Sequence, residues 1–243
     1  MKTLTPWLVL SFAFIISAIL IGRSYNYKHK KTELISVTGS ADTNFVSDLA
    51  VWTGSFARVS FNMQEAYNAL KNDELIVTTY LKNQSVSDKE IRISAISTDK
   101  LFDYRYDQNG NQAGSEFRGY KLSETITVES ADLAKVDKIS RDITQLIQQG
   151  VELTSSAPDY YYTKLGDLKI GLLAKASADG QKRAETIAKN AKSALGNLHK
   201  ASMGVFQITG QNMNEDYSFG GVFNTSSINK TATVTVKMEF DVK

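Results

Sequence analysis

The spacing of hydrophobic positions changes several times along the chain, and each change marks an element. Residues 3–22 contain no charge and pass through Trp7, Leu8, Val9, Leu10, Phe14, Ile15 and Ile16 before Arg23, Lys28, Lys30 and Lys31. As a helix at about 1.5 Å per residue this run spans about 30 Å, the thickness of a bilayer's hydrocarbon core, with its backbone polar groups paired internally. It exceeds the about 7–15 apolar residues of a cleaved signal peptide, and residues 17–22 carry no A-x-A-like cleavage site. The pattern predicts one N-terminal transmembrane helix over residues 1–23, an anchor or uncleaved signal. A basic polar tether follows over 24–33, then a folded domain over 34–243.

Residues 34–39 read as a first strand that ends at Gly39. Along a second strand, 46–61, Leu49, Val51, Ala57, Val59 and Phe61 fall on one face and Trp52 and Phe56 on the other, the pattern of a strand covered on both sides for part of its length. The period then becomes helical: Asn62 stands at a cap with Glu65 three residues on, and Ala66, Leu70, Val77 and Leu81 form one stripe. Strands are predicted over 91–106 and 117–128, the latter alternating Tyr120, Leu122, Ile126 and Val128 with polar residues. They are joined through Asp107 and the turn-forming Asn109-Gly110 pair. A helix capped by Ser130 runs through Leu133, Val136, Ile139, Ile143 and Leu146 to Gly150, and a short strand covers 151–157. Strand, helix, strand, strand, helix, strand is the split βαβ or ferredoxin-like order.

A long Ala-rich helix is predicted over 164–195, ended by Gly196, with a second half small enough for another backbone to approach closely. Two strands close the chain, at 203–209 and 231–242. In the latter Ala232, Val234, Val236, Met238, Phe240 and Val242 alternate with polar residues, which implies one buried and one wet face. The 210–230 loop between them is long, as functional or disordered loops are. The fold class is therefore α+β: an antiparallel-rich sheet with a ferredoxin-like split βαβ core, a long Ala-rich helix and a C-terminal strand pair, preceded by one N-terminal transmembrane helix.

Charge sharpens this division. Of 28 Lys and Arg, five precede residue 32, where none of the 26 Asp and Glu lies, so the rest of the chain holds 23 basic against 26 acidic groups. A nucleic-acid binder needs its basic excess on the folded domain, so nucleic acid is not an expected partner. Cysteine is absent, which removes disulfides, thiolate nucleophiles and thiolate metal sites and permits an oxidising compartment. The four Lys and Arg after the apolar run outnumber Lys2 before it, and the positive-inside rule alone would place the domain in the cytoplasm.

Three short signatures, in this order and spacing, set a second expectation: Ile35-Ser36-Val37-Thr38-Gly39; Gly119-Tyr120 leading into a strand and then Asp132-Leu133; and the Ala-rich helix of 174–196 followed by a strand. Together they resemble the SIMPL domain family, also called DUF541, over residues 34–242. The resemblance implies a bacterial envelope protein exported by an N-terminal signal or anchor, in a family where homo-oligomers occur and some members are linked to stress tolerance. The family has no established catalytic residues, and none is carried over. The resemblance sets a single-pass inner-membrane protein with its domain facing the periplasm against the charge rule.

Candidate chemistry is sparse. His29 and His199 are the only histidines, and His199, placed just past the predicted helix end, is welcome there as a cation. Asp107, Asn109 and Asn111 begin like a calcium loop, but the twelfth loop position falls on Arg118 instead of a bidentate acid. No phosphate-cradling glycine motif occurs, and Asp99 and Asp103 read as solvated strand carboxylates. No catalytic, cofactor or metal residues are assigned, and no enzyme activity is expected. The candidate interface is aromatic: Tyr160, Tyr161, Tyr162, Tyr217, Phe219 and Phe223, rings at segment ends of the kind favoured in interface cores. The expected function is homo-oligomeric assembly or binding of an envelope partner at the membrane. The alternative is a ligand-binding or sensory module for a small envelope molecule.

Overall fold

The computed structural model describes residues 4–28, 33–213 and 215–243. Lys2, His29, Lys30 and Lys31, with the start of the expected anchor and much of the expected tether, lie outside them. Helix α1 (Leu4–Lys28) continues past Arg23 into the segment expected to be tether. Among the described residues no helix is long and apolar enough to cross a membrane. The large apolar side chains described in α1 are exposed, from 45% at Ile16 to 77% at Phe14.

The chain divides into two compact units, one from Met1–Ser40, Lys175–Gly204 and Thr235–Lys243, the other from Ala41–Ala174 and Val205–Val234. Three elements contribute to both: β1 (Leu34–Val46), α4 (Leu165–Asn190) and β10 (Asn229–Val242).

The second unit holds the split βαβ arrangement. Strand β2 (Leu49–Ser60) leads to α2 (Met63–Asn83), then β3 (Ile91–Ile93) and β4 (Ser97–Tyr106), β5 (Gln112–Ser130), α3 (Leu133–Asp142) with a 3-10 turn (Ile143–Gln149), and β6 (Leu153–Ser155) with β7 (Asp159–Tyr161). The strand order is β3-β5-β2-β6, with β4 also on β5 and β7 also on β2. Neighbours are antiparallel throughout, so the third strand lies between the first two, as the element order predicts.

The core sits between one sheet face and the helices. Trp52 and Phe56 of β2, Leu122, Ile126 and Val128 of β5, Leu70, Val77 and Leu81 of α2, and Val136 and Ile139 of α3 are all buried there. Gly54 leaves space for the indole of Trp52, which comes within 2.6 Å of where a Cβ would stand. Trp52 Nε1 donates to Ser155 Oγ at 2.9 Å, and that hydroxyl donates to Ser140 O at 2.6 Å, so the buried ring brings a satisfied polar tip. The other face of β2 is not a second core: Leu49, Val51 and Ala57 are half-buried and Val59 is 52% exposed. Strand β2 is thus covered deeply on one side only, because both helices return to the same face.

Local signals decide the helix ends. Asn62 caps α2, its Oδ1 accepting from Gln64 N at 2.9 Å. Glu65 does not close a capping box directly. Ser60 Oγ stands between, donating to Glu65 Oε2 and accepting from Asn62 N, each at 3.0 Å. Asp132, not Ser130, caps α3, and Ser130 Oγ accepts from Asp132 N at 3.2 Å. Gly150, at φ 84, ends the 3-10 turn as its sequence position suggests.

The turn after α2 is tied down by Glu90. Ser87 N and Oγ both donate to Glu90 Oε2 at 2.9 Å, and Lys135 Nζ lies 3.4 Å from Oε1. Hydrogen bonding from Ser130, then from Ser87, with the Lys135 charge adding, holds the Glu90 carboxyl down at about 2 from its ordinary 4.5. A depressed carboxyl stabilises the fold above its unfolded value, and this contribution fades as pH falls from about 4.5 to about 2. Glu90→Gln is expected to be less stable by ~2–3 kcal/mol at pH 7, with the gap closing across that window, in urea titrations at stepped pH.

In the first unit β10 lies between β1 and β8 (Leu195–Met203). Helix α4 ends at Asn190 and Lys192 adopts φ 59, so Gly196 belongs to β8 and not to a helix stop. The strand expected over 203–209 is instead the end of β8 plus β9 (Gln207–Gly210), which pairs with β10 in the second unit. The alternation in β10 holds: Ala232, Val234, Val236, Met238 and Phe240 are buried, and Lys230 extends the buried face by one step. The close backbone approach expected of α4 occurs at Gly180, against Gly39 of β1, and Ala176, Ala184 and Ala188 are buried along the same helix.

Candidate interaction surface

The loop between β9 and β10 is long but internally braced. Lys230, 2% exposed, donates from Nζ to Asn224 O at 2.6 Å and also meets Asn224 Oδ1 at 3.4 Å. Asn224 Nδ2 donates to Glu215 Oε1, and Glu215 Oε2 accepts from Gly210 N at 3.2 Å. Burial pushes the Lys230 ammonium down, while Glu215 and Asp159 act the other way. Gln207 adds a second brace: its Oε1 accepts from Val222 N at 2.8 Å, and its Nε2 donates to Ser218 O at 2.9 Å. Gly221, at φ 90, lies where a Cβ would stand 2.8 Å from Phe206 O. A lysine was needed on the buried face of a strand to organise this loop, and a strand period alone does not announce that.

The six aromatic candidates do not share one environment. Tyr160 belongs to the core, 5% exposed, its hydroxyl 3.4 Å from Asp137 Oδ1. Tyr161 stacks loosely on Phe223, with ring centroids 6.4 Å apart, and Tyr162 lies 5.0 Å from Phe45. Tyr217 and Phe219 stand out from the braced loop at 68% and 104% exposure, and Phe223 is half-exposed. The structure therefore brings Tyr161 and Phe223 together, returns Tyr160 to the interior and presents Tyr217 and Phe219 to solvent.

A second aromatic surface lies on the hairpin of β4 and β5. Phe102, Tyr104 and Tyr106 alternate with Asp103 and Arg105 and so share a face. Phe102 lies 5.6 Å from Phe117 and 6.4 Å from Tyr104, and Phe117 lies 6.2 Å from Phe61 and 5.1 Å from Tyr120. The opposite face is ion-paired: Asp103 with Arg118 at 2.5 Å and Arg105 with Glu116 at 2.8 Å. The alternation of residues 102–106 was the visible signal for this face. It reads as an ordinary strand because the missing inner partner shows only in three dimensions.

The other candidates take structural roles. Asp107 Oδ1 accepts from Asn109 N and Asn111 N, each at 2.9 Å, and Gly110 adopts φ 80, so the carboxylate holds a hairpin turn. Those backbone donors, Asn111 first, draw the Asp107 carboxyl below its ordinary range. His199 is in β8, not at a helix end, with Nδ1 3.5 Å from Asp241 Oδ1. Among the described residues no group of three or more His, Cys, Asp or Glu is placed to hold a metal. A cavity of about 600 Å³ opens beside the start of α2, lined by Met63, Tyr67, Ile96, Thr98 and Leu122.

An α+β protein built on this split βαβ unit is the class the geometry defines. The chain belongs to the SIMPL family, described as a protein of unknown function (DUF541), which it matches over residues 35–240. It is 28% identical over 120 residues to a 26 kDa periplasmic immunogenic protein of Brucella melitensis biotype 1, a match covering 49% of this chain and 48% of the relative. The protein of the same description in Brucella abortus (strain S19) matches over the same shares, also at 28%. The chain spans about half the length of these curated relatives.

Proposed function

We propose that this chain is a membrane-anchored envelope protein, its domain in the periplasm, that works without catalysis by assembling with its own copies or by binding another envelope component. The observation that carries this reading is the braced stretch 215–228 of the loop before β10. Its backbone is held by Lys230, Asn224, Glu215 and Gln207, yet it presents Tyr217 and Phe219 to water. Ordered loops that expose large rings are contact surfaces, because covering those rings is favourable and little ordering entropy remains to be lost. Family membership and the description of the Brucella relatives as periplasmic support the location. The uncharged run of 3–22 in the sequence is the feature behind the proposed single-pass inner-membrane anchor, and stress tolerance is the role the family resemblance suggests.

The test uses the full chain. Asn111→Cys, in a chain without cysteine, should react with a membrane-impermeant thiol reagent once the outer membrane alone is opened. The detergent-solubilised protein should run at one discrete mass above that of a monomer. Replacing Tyr217, Phe219 and Phe223 together by Ser should shift that mass downwards by weakening self-association roughly tenfold or more. Labelling only after inner-membrane lysis would overturn the location, and an unchanged mass in the triple variant would remove the loop from the interface. The cavity beside α2, with its apolar lining, favours one second reading: a sensory module for a small apolar molecule. That reading requires thermal stabilisation by ligand with no change of mass.

A further inference from the structure

Strand β4 is an edge. It pairs with β5 along one side, and among the described residues no strand pairs with its other side. Natural sheets shield such edges by keeping them short, bulging them or placing proline in them. Here the edge runs from Ser97 to Tyr106 without proline, and the two register shifts against β5 place the extra residues, Arg118 and Ala113, in β5. The alternation along β4 itself is unbroken. One face shows Thr98, Lys100, Phe102, Tyr104 and Tyr106; the other shows Asp99, Leu101, Asp103 and Arg105.

We propose that β4 pairs antiparallel with β4 of a second copy, about a two-fold axis at Phe102; this deepens the assembly reading above and rests on it. A two-fold axis perpendicular to the sheet keeps like faces together, so only registers that place a residue opposite its own copy at the centre are allowed. Centring on Lys100 or Asp103 sets a charge against itself, and centring on Leu101 sets Asp99 against Asp103 twice. Centring on Tyr104 avoids this but pairs only residues 102–106. Centring on Phe102 pairs residues 98–106 and sets Asp99 opposite Arg105 twice, with no like charges opposed. It also places Lys100 beside Tyr104 of the second copy, within reach of a cation–π contact. The row of rings from Phe117 through Phe102 then continues into Phe102 and Phe117 of that copy. The edge charges that would block a stranger are self-complementary in this one register.

The test again exploits the absence of cysteine. Facing residues of an antiparallel pair bring their Cβ atoms to about 4.5–5.5 Å, close enough for a disulfide after small adjustment. Full-length Phe102→Cys, in detergent and under copper-catalysed air oxidation, should form a covalent dimer at least about tenfold faster than Asn109→Cys at the hairpin tip. Tyr104→Cys alone should stay at the Asn109 rate, since it faces Lys100, whereas Tyr104→Cys mixed with Lys100→Cys should cross-link. An oligomeric protein whose Phe102→Cys variant links no faster than Asn109→Cys overturns the edge pairing and leaves assembly standing. Fast self-linking at Tyr104→Cys overturns the register. A wild-type protein that is monomeric in detergent at every concentration overturns both this inference and the assembly reading.

Discussion

Arg58→Ala is expected to lower the unfolding free energy by ~3–5 kcal/mol, the range for stripping the partner from a buried charge. Asp73 sits inside α2 with its side chain 1% exposed, and Arg58 holds both its oxygens, Nε to Oδ2 at 2.5 Å and Nη2 to Oδ1 at 2.7 Å. Arg58 also donates from Nη2 to Gly150 O at 2.6 Å, so one guanidinium joins β2, α2 and the end of the 3-10 turn. The hydrogen bond to Asp73 raises the Arg58 pKa above its ordinary value. Urea titration measures the loss. Arg58→Met combined with Asp73→Leu should recover most of it, because the desolvation penalty leaves with the charges. A loss below about 1 kcal/mol in the single variant would mean that Asp73 is reached by water once Arg58 is gone.

Gly39→Ala is the second large effect, and it falls in the other unit. A Cβ on Gly39 would stand 2.1 Å from Ala176 O and 2.4 Å from Gly180 N, both backbone atoms of α4. Helix backbone cannot step aside as a flexible side chain does, so β1 and α4 must separate. The change should remove ~3 kcal/mol or more and make Lys175–Gly204 sensitive to limited proteolysis. Gly114→Ala is the matched control: nothing lies within 4 Å of its Cβ position, and it should be neutral or slightly stabilising. Equal behaviour of the two variants would refute the close crossing.

What could be foreseen in this chain was what local chemistry decides. Asn62 caps because its side-chain oxygen reaches the first helical turn, and Gly150 stops because it accepts φ 84. The period of β10 survived because both its neighbours and its buried face are strand-like along its length. Strand β8 was hidden for the opposite reason. Its residues are largely exposed, Gly196 imitates a helix stop, and its strand state comes from partners in β10 roughly forty residues on. The break between β3 and β4 was likewise tertiary: Ser94 N donates to Thr125 O and Ser94 Oγ accepts from Thr125 N, a pairing made across the sheet. Of the candidate interaction surface, the exposed rings of Tyr217 and Phe219 were legible as loop aromatics. Tyr160 was not separable from Tyr161 and Tyr162, since only the fold decides which ring of a run turns inward.

The central position of β10 between β1 and β8 ties the first unit's integrity to this one strand. Val242 N donates to Glu33 O at 3.0 Å, and Lys243 exchanges backbone hydrogen bonds with Ala194 at 2.9 and 3.0 Å. During synthesis β10 emerges after both β1 and β8, which stay as two open edges until it inserts between them. The sheet of the first unit closes over a chain separation of nearly its whole length, a slow, entropically expensive contact. A chain in which β10 has not yet docked therefore has a sheet without its middle, with two open edges for a protease to find.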